Sequence, residues 1–319
     1  MKLKKNKRIN SQDTIDKTFF ALGTVNTIML NRCGNLEVIE KAVQRVYEID
    51  DRMSAFKYDS DVSRVSRNAG LGLQKVHKET FDLIKKAVRF GELSDGAFDI
   101  TMRPMIELWG INKKENYIPS DFEIQETLKL VNYHDIILDE KNCSIALEKT
   151  GQSIDLGGIA KGYAADEVKR ILLENGIESA IINLGGNVVT IGEKLTGQEW
   201  RVGIQNPLSP TGEYLGVLSA TNKTIVTSGS NERFFMKDGI RYHHILDPRT
   251  GSPAQSELLS ATAICGSSTD ADAITTALFI LGPQNSIELL RQLEIETIFV
   301  TKELSIIVSN GLLGNFEVL

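Results

Sequence analysis

Lys161, Asp272, Thr276 and His244 are the residues whose types and surroundings invite a chemical reading. Lys161 stands in Ser153-Ile154-Asp155-Leu156-Gly157-Gly158-Ile159-Ala160-Lys161-Gly162. That stretch reads as a short apolar strand, a paired-glycine bend and the opening of a helix. Such a junction turns backbone N–H groups and the positive helix end toward a ligand, so with a lysine it is a recipe for holding phosphate. An ordinary turn followed by a solvated lysine is the competing reading. It is no P-loop, because Gly162 and not Ser or Thr follows the lysine, and the G-x-G-x-x-G dinucleotide spacing is missing.

Asp272 and Thr276 lie four apart in Thr269-Asp270-Ala271-Asp272-Ala273-Ile274-Thr275-Thr276, so they share one helix face. A carboxylate and a hydroxyl stacked in this way are hard oxygen ligands, suited to Mg²⁺ with positions left for water and phosphate. The competing reading has Asp270 capping the helix and Thr276 packing within it. His243 and His244 precede Ile245-Leu246-Asp247-Pro248-Arg249-Thr250-Gly251, a tight turn after a strand. Neighbouring strand residues point to opposite faces, so the two imidazoles diverge, which speaks against zinc. One of them at a strand end has the chemistry of a general base; a core or surface histidine is the alternative. No hydrolase elbow, zinc motif or EF-hand loop occurs.

These residues must be positioned by a mixed set of elements. Residues 18 to 30 read as a first strand with Gly23-Thr24 inside it. Leu36, Ile39, Val43, Val46 and Met53 recur at helical spacing, as do Phe81, Ile84 and Val88 in a helix broken by Gly91. Ser54 to Asp61 reads as a polar loop, and Ser120 with Glu123 has capping-box spacing. The helix carrying Lys161 runs through Val168, Ile171 and Leu172 and stops at Asn175-Gly176. Ile136 to Leu138 and Ile145 to Leu147 predict a hairpin, and Asp238-Gly239 predicts another. Strands follow around 181–184, 188–191, 200–204, 215–218, 223–227, 233–236, 261–265, 298 and 306. Helices are expected over 270–281 and 286–293. Strands that arrive in runs predict an α+β fold, a largely antiparallel sheet core with flanking helices.

The composition is that of a soluble globular chain, 41% hydrophobic and 24% charged over 319 residues. A net charge of −6 disfavours a nucleic-acid surface. The basic run Lys2, Lys4, Lys5, Lys7 and Arg8 falls in a polar N-terminal arm, residues 1–17, ahead of a single domain over 18–319. No apolar run is long enough to span a membrane, and residues 9 to 18 are too polar for a signal-peptide core, so the expected location is cytoplasmic. Cys33, Cys143 and Cys265 are odd in number and far apart, which argues against a disulfide framework and a thiolate cluster.

Taken together the stretches resemble the ApbE family of FAD:protein FMN transferases. The resemblance runs in order through Leu22-Gly23-Thr24, Met53-Ser54-Ala55-Phe56 with Asp59-Ser60-Asp61-Val62-Ser63-Arg64, Gly96-Ala97-Phe98-Asp99-Ile100-Thr101 and Asp155 to Gly162. It continues through Asn183-Leu184-Gly185-Gly186-Asn187, Thr227-Ser228-Gly229-Ser230, His244 to Gly251 and Ala271 to Leu278. It implies a T-fold-like architecture of two intimately packed lobes. The implied activity is Mg²⁺-dependent cleavage of FAD, with FMN passed to a threonine of an acceptor flavoprotein and AMP released. Position by position, Asp272, Thr276 and the Gly158 carbonyl would hold the metal. Leu22, Phe56, Ala97, Phe98, Asp99, Asp155, Lys161 and Leu246 would line the flavin nucleotide, and His244 with Asp272 would serve the transfer step.

Two positions depart from the family pattern. Phe56 stands where tyrosine is common, keeping an aromatic face and losing a hydroxyl. Leu22 stands where methionine is common, an apolar exchange. The same site would also serve a Mg²⁺-dependent FAD pyrophosphatase, with water in place of the threonine, or a protein that only binds FAD.

Overall fold

Eight strands form one antiparallel sheet whose spatial order follows the chain. They are β1 (Thr14–Ala21), β2 (Thr24–Asn31), β3 (Ala180–Leu184), β4 (Asn187–Ile191), β5 (Thr224–Gly229), β6 (Leu258–Cys265), β7 (Glu296–Thr301) and β8 (Ile306–Val308). The computed structural model describes residues 14–31, 36–111, 116–210 and 212–319. The basic run and Cys33 lie outside the described residues. Cys143 and Cys265 are free thiols.

The expected first strand is a hairpin. Leu22 and Gly23 both take positive φ, 54° and 71°, and Ala21 pairs with Thr24 across a two-residue turn. The sequence hid this turn because Leu, unlike Asn or Asp, is no turn former at positive φ. β1 also begins at Thr14, so residues 14–17 belong to the sheet and not to the expected arm over 1–17.

The helices are α1 (Leu36–Met53), α2 (Asp61–Arg67), α3 (Lys78–Leu93), α4 (Arg103–Trp109), α5 (Asp121–Leu128), α6 (Ala160–Glu174) and α7 (Ser268–Leu293). α1, α6 and α7 lie side by side: α1 packs on β1, α6 on β3 and β4, and α7 on β5 and β6. Strand alternation sorts the core. Val226 and Ala263 point into the helix-covered main core, while their neighbours Ile225 and Ile264 point to the opposite face. There they meet Val202, Ile204 and Leu218 of a second, three-stranded sheet built from Trp200–Gln205, Tyr214–Ala220 and Phe316–Val318. A third cluster joins Met102, Met105 and Trp109 to Ile124 and Leu246.

Both sequence-predicted hairpins form, over Ile136–Asp139 with Ser144–Leu147 and over Phe234–Lys237 with Ile240–His243. The capping box at Ser120 and Glu123 is present. α7 is two helical runs meeting at Gly282, which has φ 74° ahead of Pro283. Two local expectations fail, the break at Gly91 and the strand over 153–156. α3 passes through Gly91 without a break, because Gly91 lies under the Tyr133 ring, where a Cβ would come within 2.9 Å. The expected polar loop does form over 54–60, and Ser60 closes it as the N-cap of α2, its Oγ accepting from Ser63 N at 2.9 Å. Ser153 to Leu156 is no strand but an irregular approach to the glycine turn, fixed where Asp155 N donates to Ile100 O at 2.8 Å.

Candidate active site

The site is made where the first turns of α6 and α7 touch. Gly162 permits the contact: a Cβ there would lie 2.2 Å from Ser268 O and 2.8 Å from Asp272 Cβ. Across the same gap Asp166 of α6 takes over the start of α7, accepting from Ser268 N and Thr269 N at 2.8 Å each. Ser267 is the N-cap and accepts from Asp270 N at 3.2 Å. Asp270 is therefore not the cap; it pairs with Lys86. These caps satisfy N–H groups that a helix start leaves without intrahelical partners.

Capping in this way sets Asp272 opposite the opening of α6. Asp272 is buried, 4% exposed as a residue. Oδ2 accepts from Gly162 N at 2.9 Å, and Oδ1 lies 3.1 Å from Lys161 Nζ, which also donates to Gly157 O at 2.8 Å. A helix start favours an anion, and here the protein supplies it from Asp272. The expectation of freely presented N–H groups is corrected at Gly162, whose N–H is already spent on that carboxylate. Gly158 is adjacent: its ideal Cβ position lies 3.1 Å from Phe98 Cε2 and 3.9 Å from Thr276 Oγ1. A side chain there would press on the Phe98 ring, while Thr276 lies at ordinary contact distance from the turn.

A carboxylate, a threonine hydroxyl and a glycine-turn carbonyl therefore share one small region, all hard oxygen donors. An ammonium already lies among them, held by Gly157 O and Asp272 Oδ1. This donor set fits Mg²⁺ rather than zinc. Among the described residues no group of three or more His, Cys, Asp and Glu side chains is placed to hold a metal.

The residues expected at the flavin divide into three groups. Ala97 and Phe98 are buried in the main core, with Phe98 against Gly158. Asp99 accepts from Thr101 N at 2.7 Å, Thr101 Oγ1 at 2.6 Å and Tyr133 N at 3.0 Å, so its carboxylate is spent on shaping that turn. Burial pushes the Asp99 carboxyl above its usual range, against those hydrogen bonds. Asp155 Oδ1 accepts from Gly157 N at 2.8 Å and Oδ2 from Arg103 Nη1 at 3.1 Å, and Arg103 in turn faces the Phe56 ring. Leu22 sits at the β1–β2 turn, and Leu246 lies in the third apolar cluster beside Trp109. Asp247 fixes its own turn, accepting from Arg249 N at 2.9 Å.

The two histidines have different surroundings, His243 closing its strand and His244 lying in the bend that follows. His243 is buried, edge-on to Phe279, with Nε2 3.2 Å from Ala254 O. His244 is half-buried, and its Nδ1 lies 3.3 Å from Arg233 O. A carbonyl only accepts, so Nδ1 carries the hydrogen and Nε2 is left with the lone pair. Burial lowers the His244 pKa to about 4, and the charges of Arg233 and Lys161 act in the same direction.

Three residues had no signal in the sequence. Asp166 is the cross-helix cap described above. Arg103 is a buried cation. Glu232, before the Phe234–Lys237 strand, has its carboxyl raised by the protein around it; Lys161 and Arg233 oppose the rise and Asp272 adds to it. Each depends on a partner distant in sequence. Two surface cavities, about 660 Å³ beside Arg52 and Tyr58 and about 270 Å³ beside Arg241 and Lys302, lie apart from Lys161 and Asp272.

Residues 22–299 match the model of the ApbE family. The chain belongs to the ApbE family. It is similar to the FAD:protein FMN transferase of Klebsiella pneumoniae strain 342, with 39% identity over 276 residues covering 85% of each chain. It is 33% identical over 281 residues to the protein of the same name from Treponema pallidum strain Nichols, covering 84% of this chain and 78% of that one. The crystal structure of the ApbE protein from Thermotoga maritima superposes with a TM-score of 0.85 at 33% identity, over 93% of this chain and 97% of that one. The Lys161–Asp272 cluster falls inside the span that matches the family model. No helix among the described residues is long and apolar enough to cross a membrane.

Proposed function

We propose that this chain is a Mg²⁺-dependent FAD:protein FMN transferase that attaches FMN to a threonine hydroxyl of an acceptor flavoprotein and releases AMP. The observation that carries the reading is the meeting of Lys161, Asp272, Thr276 and the Gly157–Gly158 turn between two helix starts. The shared name of the curated relatives supports it.

Asp272, Thr276 and the Gly158 carbonyl would hold the metal, which when bound supplies positive charge to phosphate oxygens. Lys161 places a second cation beside the same turn, where it stabilises charge developing on the diphosphate. In the reaction the acceptor oxygen bonds to the flavin-side phosphorus. The bond from that phosphorus to the bridging oxygen breaks, and AMP carries that oxygen away. The threonine proton passes to Nε2 of His244, the ring nitrogen left available by the contact of Nδ1 with the Arg233 carbonyl.

The test is incubation of the purified protein with FAD, Mg²⁺ and an acceptor carrying an Asp-Gly-x-Thr-like segment, followed by mass measurement of the acceptor. A mass gain equal to FMN, lost when Mg²⁺ is chelated, is expected. Free FMN and AMP beside an unmodified acceptor would replace transfer by hydrolysis, and intact FAD would leave binding alone.

A further inference from the structure

We infer that Arg103 is a positioning residue for the flavin ring: it backs Phe56 as a stacking plate and ties that plate to the glycine turn of the diphosphate site. The inference rests on the flavin-transfer reading above.

The usual surface cation–π pair has a solvated arginine lying over a buried ring, its charged head kept in water. Here the order is reversed. Arg103 is 8% exposed and Phe56 67% exposed, with the guanidinium carbon 4.2 Å from the ring centroid. The cation is inside and the ring is presented outward. A largely exposed phenylalanine leaves apolar area in water, and covering it with a flat aromatic system is favourable.

The guanidinium is held in its plane by two carboxylates. Nε donates to Glu107 Oε1 at 2.7 Å and Nη1 to Asp155 Oδ2 at 3.1 Å. Asp155 Oδ1 then takes the N–H of Gly157 at 2.8 Å. One chain of contacts therefore runs from Phe56 through Arg103 and Asp155 to the turn whose next residue is Gly158. The backbone of Phe56 is held by Ser54, whose Oγ accepts from Phe56 N at 3.1 Å and whose carbonyl accepts from Ser60 Oγ at 2.5 Å. A lysine cannot replace this arginine, because a point charge has no plane to lie against the ring and no fork to meet both carboxylates. Arg103 thereby fixes the separation between the surface that receives the flavin ring and the turn that receives the diphosphate.

The test uses the full chain and three ligands: FAD, FMN and ADP, which lacks the flavin. Binding is read by flavin fluorescence, and ADP by competition. Arg103→Met weakens FAD and FMN by about tenfold, the worth of one well-made ring contact, and weakens ADP much less, through the Asp155 that braces the Gly157 turn. Arg103→Lys weakens the two flavins in the same sense, and it carries the test if the Met variant does not fold. In the Phe56→Leu background the Arg103 substitutions add little, because the plate they support is already gone. Parallel loss of ADP binding, or effects that multiply in the double variants, would overturn the inference. Wild-type protein that binds no FAD would sink the flavin-transfer reading itself; wild-type transfer together with unaffected Arg103 variants would sink this inference alone.

Discussion

Lys161 Nζ and Asp272 Oδ1, 111 positions apart in the chain, stand 3.1 Å from each other between the openings of α6 and α7. Neither residue holds its place alone. Asp272 is oriented by the Gly162 N–H, and Lys161 by the Gly157 carbonyl. Asp272→Asn keeps the shape and an oxygen for Gly162, and removes the charge. FMN transfer is expected to fall about a thousandfold, the scale of losing metal-assisted charge stabilisation. The check is the rate of acceptor labelling across a Mg²⁺ series. A variant with the wild-type rate and Mg²⁺ dependence would show that the metal site is elsewhere.

His244→Asn is expected to slow transfer by about two to four powers of ten, the contribution of a placed general base. FAD affinity should be retained, since the imidazole faces the Arg233 carbonyl and the proposed role is in proton transfer. The pH–rate profile carries a second reading. Because burial holds His244 at about 4, the neutral base is present well below neutrality, and the rate should fall only as pH approaches that value. A fall centred at 6.5, the ordinary histidine value, would mean that the working imidazole is solvated.

His243 makes a stability prediction of its own. Burial lowers its pKa from 6.5 to about 4. Above 6.5 the native and unfolded chains are both neutral at this residue, and the stability is fully present. Between 6.5 and about 4 the unfolded chain binds a proton that the native chain refuses, so stability is lost as pH falls through that window. A Tm series across the window should decline, and His243→Gln, which keeps a donor toward Ala254 O, should flatten the His243 share of the decline. An unchanged slope would place the responsible titration elsewhere.

The fold was legible wherever one residue type forces one local geometry. Asp238-Gly239 turned as expected, Ser120 and Glu123 capped α5, and Asn175-Gly176 ended α6. It failed where tertiary contact decides. Leu22 takes positive φ against its preference, and Gly91 stays helical because a ring needs the space beside it. The site divides the same way. Lys161, Gly158, Asp272 and Thr276 were readable as two local patterns, a glycine bend and a helix face. Asp166, Arg103 and Glu232 carry no local pattern, since each has meaning only through partners brought in from other elements.

The contact between α6 and α7 has almost no slack at Gly162, and this gives the sharpest structural test. In Gly162→Ala the added methyl would stand 2.2 Å from Ser268 O, a backbone atom, and 2.8 Å from Asp272 Cβ. Neither neighbour is the far end of a flexible chain. The helices must separate, at a cost of about 1–3 kcal/mol typical of overpacking. In an exposed helix the same change would stabilise by about 1 kcal/mol through propensity, so the sign of the Tm change separates the two situations. Separation also pulls the Gly162 N–H and Lys161 away from Asp272 and loosens the Asp166 cap on α7. The expected variant is folded with a lower Tm, needs more Mg²⁺ for half-maximal transfer, and binds FAD more weakly. A Tm equal to or above wild type would show that the two helix starts are not packed at this residue, and the placement of Asp272 beside Lys161 would have to be abandoned with it.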